Sequence, residues 1–162
     1  MATRDQPEEF ERMLSCVEDV NLPWARNAAV LMLGCARLTL EGTQTPYVTA
    51  EHDLGLASAN LVFEATARGL GVHQMIHLHR DRARRLYQIP GDVKPVAGLA
   101  IGYAGNEGRL TQPYQHADMT RRPRRPLDTF VFSGSWLNVS ALVMRPHGKA
   151  GDAPAPPVRN AV

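Results

Sequence analysis

Two short arginine runs carry the densest chemistry in this sequence. One is Arg80 to Arg85, four arginines around Asp81 and Ala83; the other is Arg121 to Arg125, interrupted by Pro123. Of 18 basic residues only Lys94 and Lys149 are lysines, so nearly all the positive charge sits on guanidinium groups, whose planar fork suits phosphate better than a point-like ammonium does. In Arg122-Pro123-Arg124-Arg125-Pro126 the prolines favour an extended backbone. Alternate side chains of an extended chain point the same way, so Arg122 and Arg124 can converge on one dianion. His73, His77 and His79 would share a face on a single strand, but no carboxylate or cysteine is placed to complete a metal shell. Cys16 and Cys35 make neither a zinc pattern nor a disulfide framework and read as buried thiols. Gly69, Gly71, Gly102 and Gly105 fit neither the GxGxxG nor the P-loop spacing, and Ser58 and Ser133 stand in no nucleophile elbow. A dinucleotide fingerprint and a serine hydrolase are therefore not indicated.

The elements that must position these residues follow from periodicity. Pro7 to Val20 reads as a helix, with Glu8 and Glu9 in the first turn and Phe10, Met13, Leu14 and Val17 as its apolar stripe; Asn21-Leu22-Pro23 breaks it. Ala28 to Ala36 is a continuously apolar run of the kind that forms a strand buried on both faces. Glu41 to Tyr47, with Gly42 and Pro46, is a loop. From Thr49 to Leu70 the period is helical, Thr49 is the cap, and apolar residues lie all round, as expected of a central helix. Gly69-Leu70-Gly71 stops it. Val72 to Leu78 is a second strand, Asp81 to Gln88 a short helix with Ala83, Leu86 and Tyr87 inward, and Val96 to Tyr103 a third strand. Leu127 to Phe132 is a further strand candidate, Thr111 to Pro126 reads as extended, and the proline-rich stretch from Arg145 onward reads as disordered. The order argues α/β or α+β with a mostly buried sheet. Residues 1–144 are expected to be a single domain and 145–162 a tail.

At 162 residues and 17.8 kDa, with 44% hydrophobic and 21% charged residues, the chain is of ordinary one-domain size and composition. No apolar run approaches the roughly 20 residues of a membrane-spanning helix. The polar, acidic opening Met1 to Glu11 is no secretory signal, so the expected location is the cytoplasm. A net charge of +2 and arginine runs without interleaved aromatics argue against a nucleic-acid partner.

Five words in order, WARNAAVLMLGCAR at 24–37, EHDLGLASANLVFEATARGLGVHQM at 51–75, DRARRLYQIP at 81–90, PVAGLAIGY at 95–103 and RPRRPLDTFVF at 122–132, resemble the flavin-dependent nitroreductase family. The resemblance implies an α+β, three-layer fold, a mixed but mostly antiparallel sheet flanked by helices, with the long central helix in the interface of a homodimer and the strand at 127–132 reaching the partner's sheet. It implies FMN as cofactor and NAD(P)H as reductant, with nitroaromatic, quinone or related small-molecule electron acceptors reduced by hydride transfer through flavin N5. By the same resemblance Arg122 and Arg124 hold the flavin phosphate, and the backbone of Met75, Ile76 and His77 faces the flavin ring; no catalytic acid or base is implied. Two departures stand out. Met1 to Val20 shows no Arg-Ser-x-Arg segment, as if the chain were shortened or its start lay upstream, and Ile76-His77 replaces the family's small residue and glycine. They define the alternative, a truncated, flavin-free relative with a structural or binding role and no catalysis.

Overall fold

The computed structural model describes residues 1–105 and 123–144, which belong to two compact units. The first unit contains β1 (Ala2–Thr3), α1 (Pro7–Leu14), α2 (Leu22–Ala25), β2 (Val30–Arg37), α3 (Ala50–Ala67), β3 (Gly71–Met75), α4 (Arg80–Leu86) and β4 (Val93–Gly102). Four strands form one antiparallel sheet in the order β1-β2-β4-β3. The α+β expectation holds, and every strand pairing among the described residues is antiparallel.

Alternation on the strands sorts the helices into layers. Leu31 joins the core with Phe10, Met13 and Leu14 of α1 and with Met75 and Ala100 on the same sheet face. Gly34, on the other face of β2, has no side chain, and α3 comes close enough there that a Cβ would meet Leu54 at 3.4 Å. The sheet thus lies between α1 and α2 on one side and α3 on the other.

β4 is central, yet it contains Pro95, which has no N–H to give a ladder. Two features accommodate it. The register shifts between Gly34 and Cys35, so that Gly34 faces Ala97 while Cys35 faces Pro95, and β3 ends at the Met75–Gly98 pair, short of the proline. The carbonyls left beyond that end are taken by Arg80, whose Nε donates to Pro95 O at 3.2 Å and whose Nη2 donates to Val96 O at 3.5 Å.

Several boundaries differ from the sequence reading. α1 stops at Leu14 instead of Val20: Ser15 Oγ donates to Arg12 O at 2.7 Å, and Val17 leaves to form an isolated bridge with Leu78. Pro23 does not break a helix but opens α2, where its missing N–H costs nothing. Thr49 is the N-cap residue of α3, but its hydroxyl donates to Asp53 Oδ2 at 3.0 Å instead of capping a backbone N–H. With the Tyr47 hydroxyl at 2.6 Å, these bonds hold the Asp53 carboxyl below its ordinary range. Gly69, at φ +76°, ends the helix as expected.

In the second unit, Leu127 to Phe132 is not a strand. Leu127–Thr129 is a 3₁₀ turn because Pro126 fixes its entry and Thr129 Oγ1 donates back to Pro126 O at 2.7 Å. Phe132 then bridges Val139, with Asn138 Nδ2 donating to Ser133 O at 2.8 Å across the turn. Residues 111–122 of the expected extended stretch and the 145–162 tail lie outside the described residues.

One network ties α1 to α4. Tyr87 Oη donates to Glu9 Oε1 at 2.9 Å, and the Arg12 guanidinium lies 4.6 Å from the centre of the Tyr87 ring and donates to Leu86 O. Burial, and then the Glu9 carboxylate that accepts its hydrogen bond, raise the Tyr87 phenol far above its ordinary value. The native state therefore favours the neutral phenol. That stabilisation is complete below the unfolded value of about pH 10 and is lost as pH rises above it. Urea midpoints measured between about pH 8 and 11 are expected to fall, and Tyr87→Phe to flatten the fall. An equally steep fall in the variant would remove Tyr87 as the cause.

Candidate functional site

The end of β3 and the turn that follows bring the predicted site residues Met75, Ile76 and His77 together. Met75 points into the core, and a Cβ on Gly98 opposite it would meet Met75 Cγ and Leu78 Cδ2 at 3.1 Å each. Close packing at Gly98 thus seats Met75 firmly against β4. Ile76 and His77 turn outward, the Ile76 side chain 65% exposed.

Their backbone is held from one side only. Ile76 O accepts from Arg80 Nη2 at 3.1 Å, His77 O accepts from Glu18 N at 3.2 Å, and His79 N donates to Cys16 O at 2.8 Å. The N–H groups of Ile76 and His77 have no protein acceptor among the described residues. His77 is not among the residues with positive φ, so its Cβ brings no left-handed strain where the family resemblance places glycine. Its imidazole leans away to Glu18, with Nδ1 and Oε2 3.5 Å apart.

The three histidines do not share a strand face, because β3 ends before His77. His73 packs against Trp24, ring centres 4.3 Å apart; His77 pairs with Glu18; His79 is the N-cap residue of α4. Sequence reasoning missed Glu18, which no local pattern connects to position 77. Cys16 is buried and Cys35 half-buried, both free, and burial raises both thiols above their ordinary value, so neither is an activated nucleophile.

Of the two predicted phosphate arginines, Arg122 lies outside the described residues, and Arg124 belongs to the second unit, where it is exposed. The other arginine run is mostly engaged with backbone. Besides the bonds of Arg80, Arg82 Nη1 donates to Ser15 O at 2.6 Å, and Arg84 donates to the carbonyls of Ile89, Pro90 and Val93. Arg80, Arg82 and Arg85, with Leu78, His79 and Asp81, line an open concavity of about 560 Å³.

The sequence profile of the Nitroreductase family matches residues 2–103. The chain belongs to the nitroreductase family. The match begins well before Trp24, so the N-terminal layer that supplied none of the five words is part of the nitroreductase domain. An uncharacterised 15.4 kDa protein of Mycolicibacterium smegmatis is 30% identical over 115 residues, 71% of this chain and 76% of the relative. Among solved structures, an oxidoreductase containing FMN superposes with a TM-score of 0.78 at 26% identity, over 85% of this nitroreductase-family chain and 70% of the other. A Bacillus subtilis nitroreductase, NfrA1, shares the fold at a TM-score of 0.59 and 20% identity, over 84% of this chain and 56% of its own. Among the described residues, no helix of this family member is long and apolar enough to cross a membrane.

Proposed function

We propose that this nitroreductase-family chain is a flavin (FMN)-dependent NAD(P)H oxidoreductase that reduces nitroaromatics, quinones or related small acceptors, working as a homodimer in the cytoplasm. The observation that carries the reading is the similarity, in sequence as well as fold, to an oxidoreductase that contains FMN. The exposed end of β3 fits such a cofactor. Two neighbouring amide N–H groups are unengaged by protein among the described residues, while both carbonyls are tied back by Arg80 and Glu18. Donors fixed in this way can meet the acceptor edge of a flavin ring without rearranging.

When bound, FMN supplies hydride acceptance from NAD(P)H and hydride delivery to the acceptor. The chain's own part is to hold and orient. Ile76 and His77 present their amides, Met75 anchors them to the core, and Arg122 and Arg124 bind the phosphate. The dimer is supported by α3, which carries Leu56 and Phe63 on its exposed side although a lone surface helix normally turns polar residues outward.

The test is the visible absorbance of protein purified from a flavin-replete host. The expected result is the two-banded spectrum of oxidised flavin, with pigment released on denaturation in proportion to chains. Arg124→Ala is expected to weaken flavin retention about tenfold, as loss of one charge-assisted hydrogen bond should. A colourless protein that also takes up no added FMN would overturn the reading in favour of the flavin-free alternative.

A further inference from the structure

Arginines without an acidic partner are concentrated on α4, although Arg4 and Arg26 of the first unit also hydrogen-bond only to carbonyls. Arg12 pairs with Glu9, Arg37 with Asp92, Arg68 with Glu64 and Lys94 with Glu51. None of Arg80, Arg82, Arg84 and Arg85 has a carboxylate partner among the described residues. Arg80, Arg82 and Arg84 donate instead to neutral carbonyls, which fixes their position and leaves their charge uncompensated. The Arg85 side chain has no hydrogen-bond partner among the described residues. Arg84 is turned toward residues 89–93, while Arg80, Arg82 and Arg85 border the same concavity with Asp81 as its one acid. Arg80 uses Nε and Nη2, and Arg82 uses Nη1. The remaining N–H groups of both, and the whole fork of Arg85, are left to a ligand.

Guanidinium groups without counter-ions attract a compact dianion, and Arg82, already held on Ser15 O, meets it with little ordering cost. The volume of about 560 Å³ suits part of a small molecule rather than a macromolecule. The surface also adjoins the proposed flavin-facing backbone, since Arg80 Nη2 donates to Ile76 O and the concavity starts at Leu78. The geometry points to a phosphate-monoester site in which Arg82 and Arg85 receive the 2′-phosphate that distinguishes NADPH from NADH, making NADPH the reductant. This rests on the oxidoreductase reading.

The test joins calorimetry to kinetics. Purified protein is titrated with adenosine 2′,5′-bisphosphate, with AMP and with inorganic phosphate, and kcat/KM is measured for NADPH and NADH in the wild type, Arg85→Gln and Arg82→Gln. The bisphosphate is expected to bind about tenfold or more tightly than AMP, and Arg85→Gln, which breaks no contact of the fold, to shift the NADPH-to-NADH preference about tenfold toward NADH. Equal affinities for bisphosphate and AMP, or an unchanged preference in both variants, would overturn the site. Inorganic phosphate binding as tightly as the bisphosphate would reduce it to a general anion patch and overturn the NADPH assignment. Flavin absorbance on the same samples separates the two readings. A colourless protein that still binds the bisphosphate through Arg85 loses the oxidoreductase function but keeps the phosphate site, whereas a coloured protein indifferent to the 2′-phosphate refutes the site alone.

Discussion

Leu31→Ala is expected to destabilise the chain by about 2–5 kcal/mol, the usual cost of emptying a core leucine position. Leu31 is 1% exposed, is the second residue of β2, lies between Ala2 and Ala100 on neighbouring strands, and belongs to the cluster that α1 covers. Its immediate strand partners are alanines, too small to fill the space it leaves. A domain of this size has about 5–15 kcal/mol in hand, so the variant should remain folded but marginal. Urea unfolding followed by circular dichroism measures the difference, and Leu31→Met, which nearly conserves volume, should cost less than about 1.5 kcal/mol. A loss under about 1 kcal/mol for the alanine variant would mean that the α1 layer collapses onto the sheet and that the packing described for it is not rigid.

Phe63→Glu is expected to do the opposite, leaving the fold intact and weakening the proposed dimer. Phe63 is 73% exposed on α3, so its own chain gains little from it. If α3 lies in a two-fold interface, each substitution counts twice. An interfacial aromatic worth about 2 kcal/mol or more then translates into roughly a 10³-fold rise in the dimer dissociation constant, before the cost of burying a carboxylate is added. Sedimentation of wild type and variant, with far-ultraviolet circular dichroism as the control for folding, gives the answer. A variant that sediments as the wild type does would remove α3 from the interface.

The contrast between Leu31 and Phe63 shows what the sequence made legible. Apolar runs announced β2 and β4, and the helical period announced α3, because those signals are local. The same period over-counted α3 as buried all round: an outward Phe63 and an inward Ser58 look alike to a pattern that sees only residue type. The ends of elements were less legible wherever a distant segment decided them. β3 stops at Met75, and α1 at Leu14, because 15–18 and 76–79 pair with each other across more than half of the first unit. No window of residues contains both. The strand read as starting at Val96 starts at Val93, and the bulge at Gly34 and the reach of Arg80 that make Pro95 tolerable within it come from elsewhere in the chain. The arginine run at 80–85 was legible as a cluster but not as two populations, one bonded to carbonyls and one unpaired. Leu127 to Phe132 has strand-like residues, yet one threonine hydroxyl and a proline suffice to wind its start.

The ladder between β2 and β4 pairs Val30 with Ile101 and Arg37 with Val93, and this has a consequence for how the molecule comes into being. As the chain leaves the ribosome, β2 is made early, but its principal neighbour is made only after α3, β3 and α4. Until then a strand rich in leucine and methionine has one long edge open, covered on that side by nothing but its own unfolded neighbours. The β2–β4 ladder can therefore close only once β4 has been made. Contacts so far apart in sequence make a topology slow to find, and the polar turns on either side of α3 must keep the growing chain dispersed until β4 arrives.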